Sequence, residues 1–222
     1  MVGVGYLFVN FKTYESGTGK NAQSLAKLLA TFSADAQIIP VVQAVDLRLV
    51  ASAVPLDVFA QHMDPISFGS NTGAVLAQAI KQAGAIGTVL NHAENKRDNE
   101  FVKLATMRAK EAGLKVMLCA ETPKRAKELA AFSPDFIAVE PPELIGGNVS
   151  VSTAKPQVIS KSVDAIRGVN PKIKVITGAG VKTSVDVAAA MELGCSGVFV
   201  ASGIVAAKDK EAAIRELIAG FK

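Results

Sequence analysis

The chain has 222 residues, half of them hydrophobic and one fifth charged, the balance of a soluble globular protein; its apolar runs stay far below the roughly 18–20 residues that cross a bilayer. Two cysteines, far apart, and two histidines supply no zinc spacing, no disulfide framework and little material for a multi-histidine metal site, so reduced thiols in a cytoplasmic protein are expected. The net charge of +4 is spread along the chain and aromatics make up 5% of it, which argues against nucleic-acid binding; the mild positive balance suits an anionic small substrate and is equally explained by a solvated surface.

The opening segment MVGVGYLFVNFK has no basic stretch ahead of its apolar part, so it reads as a first strand, YLFVNF, and not as a signal peptide. Asn10 and Lys12 close that run two residues apart, on the same side of an extended strand. A helix is expected over NAQSLAKLLATF and a second strand over QIIPVV. The third run, DVFAQ, leads to His62, which reads as a structural histidine. After it comes the long, turn-rich connection HMDPISFGSNTGAVL, with Thr72 and Gly73 at its tip. A long ordered loop in a compact domain is usually functional or part of an interface.

The fourth run, IGTVLN, ends in Asn91-His92 and precedes the helix DNEFVKLATMRAKEAG. KVMLCA follows, then PKRAKELAAF, whose Pro123 suits a first helical position because its missing N–H has no partner there. DFIAVE ends in Glu140, followed by two prolines and then Gly146-Gly147. The remaining elements are the helix STAKPQVISKSVDAIRG, the strand KVITG with its GAG turn (178–180), and the helix TSVDVAAAMELG. The strand GVFVA with its ASG turn (201–203) and the helix KEAAIRELIAGF complete the chain. Gly113, Gly168, Gly194 and Gly220 stand where a helix commonly ends on a left-handed glycine.

Continuous apolar strands alternating with helices describe a parallel sheet buried on both faces. Eight such units fit a closed (β/α)8 barrel. An open doubly wound sheet would carry a G-x-G-x-x-G turn after its first strand, and the GTG of this chain lies too far along the loop. No linker or charge block divides the sequence, so one α/β domain is expected over residues 1–222. In such a barrel the chemistry sits at the C-terminal strand ends, where Asn10, Lys12, His92, Glu140 and the two small-residue turns converge. A carboxylate base beside a neutral imidazole and a fixed ammonium suits proton abstraction next to a carbonyl. Glutamate takes the carbon-bound proton, histidine polarises the carbonyl, and lysine stabilises the enediolate. The turns leave backbone N–H groups free for a phosphate.

NFKTY after the first strand, NHAENKR after the fourth, EPPELIGG after the sixth, and GAGVKT with VASGI near the end resemble triosephosphate isomerase, in the short form typical of archaea. The resemblance runs along essentially the whole chain and implies a TIM barrel with Glu140 as base and His92 as electrophile, roles well known in that family. It implies that Lys12 and Asn10 contact substrate. It further implies that backbone N–H groups near Ile145 and Gly146, at Gly180, and at Ala201 and Ser202 hold the phosphate. Residues 141–147 would form a closing loop that excludes water. The substrates would be dihydroxyacetone phosphate and D-glyceraldehyde 3-phosphate, in glycolysis and gluconeogenesis, with no cofactor and no metal. SNTG resembles the family's interlocking loop, implying a homodimer or homotetramer with Thr72 at the interface.

The chain departs from the family at Ala93, where serine is common, at Asn95 in place of arginine, at Ala74 in place of glutamate or histidine, and in GGN after Ile145, where GTG is common. Among the alternatives, a metal-dependent sugar-phosphate epimerase needs more strand-end ligands than this chain has. A Schiff-base aldolase needs a desolvated lysine on a late strand, and Lys172 and Lys174 precede the seventh apolar core, so neither is well placed. A barrel that binds a sugar phosphate without turning it over is the third alternative.

Overall fold

The computed structural model describes residues 5–141, 144 and 150–221. Eight strands, β1 (Tyr6–Asn10), β2 (Gln37–Val42), β3 (Phe59–Ala60), β4 (Gly87–Leu90), β5 (Lys115–Ala120), β6 (Phe136–Val139), β7 (Lys174–Gly178) and β8 (Gly197–Val200), pair in chain order. All pairs are parallel, and β8 returns to pair with β1, closing the barrel. The main outer helices are α1 (Gly19–Ala30), α2 (Leu47–Ala51), α3 (Ala77–Gln82), α4 (Asn99–Glu111) and α5 (Pro123–Ala130). They continue with α6 (Val151–Ala154), α7 (Pro156–Arg167), α8 (Ser184–Glu192), α9 (Ser202–Val205) and α10 (Lys210–Ala219). Among the described residues no helix is long and apolar enough to cross a membrane.

Strand side chains alternate between two cores. Leu7 and Val9 pack outward with the helices, while Phe8 joins Phe59, Phe136 and Phe199 inside the barrel. The Phe8 ring meets those of Phe59 and Phe136 edge-on, with centroids 5.3 and 5.1 Å apart, the arrangement favoured by the charge distribution of the rings. Large inward rings need small inward partners: a Cβ on Gly87 would lie 2.4 Å from the Phe59 ring. Truncating a buried phenylalanine of this kind removes about 3–5 kcal/mol of stability.

The structure departs from the sequence reading in three places. The run DVFAQ contributes only Phe59 and Ala60 to the sheet. The stretch 152–168 is not one helix, because Lys155 leaves helical geometry at φ −138° and ψ 54°. Pro156 explains the break: its ring disfavours helical backbone in the residue before it, and it then starts α7. Gly168 and Gly220 end their helices in right-handed conformation, unlike Gly113 (φ +71°) and Gly194 (φ +90°).

The barrel's C-terminal rim carries unusual backbone. Of the four described non-glycine residues with positive φ, three stand there: Lys12 (46°), Asn91 (60°) and Ala179 (69°), directly after β1, β4 and β7 or one residue beyond. Such conformations persist only where neighbouring contacts over-determine them, and they concentrate at functional sites.

Candidate active site

Glu140 stands one residue past β6, and its N–H donates to the carbonyl of Ala120 at 2.9 Å, which extends the strand ladder by a rung. Strand parity therefore turns its side chain inward, above Phe136 and Ala138. The carboxylate is buried, and Oε2 has no hydrogen-bond partner among the described residues. Burial pushes the Glu140 pKa up to about 7, opposed by the Cys119 thiol, which hydrogen-bonds the carboxylate, and by the Lys12 ammonium. A carboxylate so tuned is half ionised near neutrality, where it can both accept and return a proton.

His92 Nε2 lies 3.8 Å from Glu140 Oε2. On the other side of the ring, Nδ1 accepts the backbone N–H of Glu94 at 3.2 Å. A nitrogen that accepts a hydrogen bond carries no proton, so this contact assigns the neutral ring its proton at Nε2, facing the cavity. Burial lowers the His92 pKa; Glu94 opposes the shift and Lys12 adds to it. The imidazole is thus held as a neutral donor.

Lys12 completes the group. Its left-handed backbone is fastened twice: its N–H donates to Asn10 Oδ1 at 3.0 Å, and its carbonyl accepts from Gln61 Nε2 at 2.9 Å. Its Nζ pairs with Glu94 Oε1 at 2.6 Å. Asn91, also left-handed, is held by its own side chain, which donates to the carbonyl of Cys119 at 2.9 Å and accepts from the N–H of Arg97 at 3.1 Å.

Asn10, Lys12, His92, Glu140, Gly180, Ala201 and Ser202 all line one cavity at the rim. Its far wall is the turn Ala179–Gly180, both with positive φ, and the start of α9. Ile145 and Gly146, with most of the expected closing loop 141–147, lie outside the described residues. Thr72 is exposed on a loop whose base is pinned by two bonds between Asp64 and Val75, of 2.7 and 2.9 Å. Phe68 on the same loop is 72% exposed. His62 fits its structural reading, lying 3.3 Å from Asp64 Oδ1 and stacking on Phe101.

Two residues near the site escaped the sequence reading. From composition Cys119 reads only as a free thiol; its inward parity in KVMLCA, one strand before Glu140, is the signal that places it beside the carboxylate. Gln61 reads as the end of the third strand, and its bond to the Lys12 carbonyl, which joins residues 49 apart in sequence, carries no local signal. Lys174 begins β7 at the opposite end of the barrel and lies 4.3 Å from the centroid of the Tyr6 ring.

The family model described as triosephosphate isomerase matches residues 5–219. The triosephosphate isomerase of Methanosarcina mazei is 44% identical over 98% of this chain and 99% of its own length. That of Methanocaldococcus jannaschii is 42% identical over 96% of this chain and 98% of its own. Among solved structures, the triosephosphate isomerase of Bartonella henselae superposes with a TM-score of 0.74 at 18% identity, covering 97% of this chain and 96% of that one, a likeness of fold.

Proposed function

The chain belongs to the triosephosphate isomerase family, and from that premise we propose how its residues divide the interconversion of dihydroxyacetone phosphate and D-glyceraldehyde 3-phosphate that it catalyses. This reaction is the family's step in glycolysis and gluconeogenesis.

Glu140 removes the proton from the carbon beside the carbonyl, and the released electron pair forms the enediolate double bond. His92 donates its Nε2 proton to the carbonyl oxygen and moves protons between the two oxygens. Glu140 then returns its proton to the neighbouring carbon, so no atom is gained or lost. The Lys12 ammonium balances the charge that develops on the oxygens, where a fixed cation is most effective. Asn10 orients Lys12 and faces the substrate, and backbone N–H groups at Gly180, Ala201 and Ser202 receive the phosphate. Proton transfers of this kind need neither cofactor nor metal.

The observation that carries this division is the 3.8 Å approach of His92 Nε2 to a buried Glu140 Oε2 that has no hydrogen-bond partner among the described residues, in the cavity that Lys12 also lines. In a coupled isomerisation assay, Glu140→Gln should lower kcat by at least on the order of 10²-fold with little change in phosphate affinity. Turnover at the unsubstituted level would overturn the assignment. The other phosphate-binding readings are not favoured. An epimerase would need a metal-ligand cluster, and none of three or more His, Cys, Asp or Glu side chains occurs among the described residues. An aldolase would need a desolvated lysine on a late strand, and Lys174 begins β7 at the end of the barrel away from the cavity.

The single domain over residues 1–222 and a cytoplasmic location, suited to two free buried cysteines, belong to the same proposal. So does a homodimer or homotetramer built on the Thr72 loop. The exposed Phe68 on that loop and Val45, 83% exposed after β2, are the apolar groups such an interface would cover.

A further inference from the structure

The turn that carries Gly180 (φ 77°) is strained at Ala179, whose φ is 69°, and so it needs fastening. Its near end is tied by Val151 N–H, which donates to the carbonyl of Ala179 at 3.1 Å. Its far end is tied by the Asp186 carboxylate, where Oδ2 accepts from the N–H groups of Lys182 and Thr183, each at 3.0 Å, and from Thr183 Oγ1 at 2.9 Å.

One side chain joins the two fastenings. Ser152 Oγ donates to the backbone carbonyl of Asp186 at 2.9 Å and lies 2.7 Å from Ser150 Oγ. Ser150 and Ser152 are 3% and 4% exposed, so water is a poor substitute for either contact. A serine hydroxyl has one proton. With that proton given to Asp186, Ser152 accepts the proton of Ser150, and the chain of bonds has a single direction. Position 152 thus ties α6, the first helix after residues 145–149, to the opening turn of α8 and to the turn between.

We propose that Ser152 is a positioning residue for the phosphate: its hydroxyl holds α6 against α8 so that the Ala179–Gly180 turn keeps its N–H groups aimed into the cavity. This rests on the reading of Gly180 as part of the phosphate site. Its signature is a loss in binding without a loss in chemistry, because the Glu140 and His92 pair lies on other strands.

The test compares Ser152→Ala, Ser152→Cys and Gly180→Val, each measured for kcat, for KM and for the inhibition constant of inorganic phosphate. Ser152→Ala should raise KM and the phosphate constant together by about three- to tenfold while kcat stays within about twofold. Ser152→Cys keeps the shape with a weak donor, and should follow the alanine variant; it also serves if the alanine variant does not fold. A merely structural role would reduce the yield of folded protein and leave these constants unchanged in the folded fraction, which would overturn the proposal. So would a cysteine variant with the constants of the unsubstituted protein, since filled space would then be sufficient. Gly180→Val should raise the phosphate constant. If it does not, the phosphate reading of the turn itself falls; if it does while both Ser152 variants are silent, only this proposal falls.

Discussion

Glu140 and Gly178 share one small volume: a Cβ on residue 178 would stand 2.5 Å from Glu140 Oε1 and 2.9 Å from both its Cγ and the Phe199 carbonyl. The carboxylate thus rests against a backbone with no side chain, and its position depends on that absence. Gly178→Ala should push the carboxylate aside, with a smaller disturbance of the phosphate turn that follows it. A displacement of about 1 Å at a reacting group can reduce the rate on the order of 10²-fold, so kcat should fall by about that factor. The inhibition constant of inorganic phosphate should change far less than kcat. Unchanged kcat would mean that the glycine does not fix the base.

The raised pKa of Glu140 predicts two pH dependences of opposite sense. The base must be ionised to work, so kcat/KM should rise with pH through about 7. Stability runs the other way. The folded protein binds this proton more tightly than the unfolded chain does, so the loss of stability is absent below about 4.5, grows as pH rises and is complete above about 7. A shift of this size corresponds to about 3 kcal/mol. Glu140→Gln removes the charge but leaves a buried amide, so the variant should be more stable than the unsubstituted protein at pH 8 by about 1–3 kcal/mol. Urea denaturation should show that advantage gone by pH 4.5. An equal difference at both values would contradict the assigned shift.

Lys12 separates strain from charge. Its φ of 46° suits glycine better than any residue with a side chain. Lys12→Ala and Lys12→Gly should each reduce kcat/KM by at least on the order of 10²-fold, because both remove the ammonium. In thermal denaturation the glycine variant should equal or exceed the alanine variant, by up to about 1 kcal/mol. An alanine variant that is the more stable of the two would show that the left-handed backbone is not strained.

Assembly is tested through the exposed ring on the Thr72 loop. Sedimentation equilibrium should find the protein as a dimer or a larger species, and Phe68→Asp should shift it toward smaller species by placing a charge in the interface. A monomeric unsubstituted protein would remove the proposed role of the loop.

Much of the fold was legible because a parallel barrel buries both faces of its strands, leaving continuous apolar runs such as QIIPVV and KVMLCA. Glu140, His92 and Lys12 were legible for a related reason: a polar residue directly after such a run marks the rim. The break at Lys155 could have been read from Pro156, but the helical pattern on both sides of it masked the signal. The brevity of β3 could not be read, because DVFAQ is as apolar as its longer neighbours and only pairing geometry decides where it stops. The Ser152–Asp186 bond was hidden more deeply. It joins residues 34 apart through a hydroxyl whose sequence surroundings look like any helix start.

The phenylalanine rings across the barrel have one more consequence. Phe8, Phe59, Phe136 and Phe199 fill the bore directly beneath His92, whose ring lies 6.1 Å from that of Phe199. Among the described residues these rings close the bore, so both isomers reach Glu140 and His92 through the mouth. Each triose must depart before another can enter, so aldose and ketose compete for the same vacant enzyme. Whichever isomer accumulates slows the conversion of the other, and the direction of flux is left to the concentrations outside.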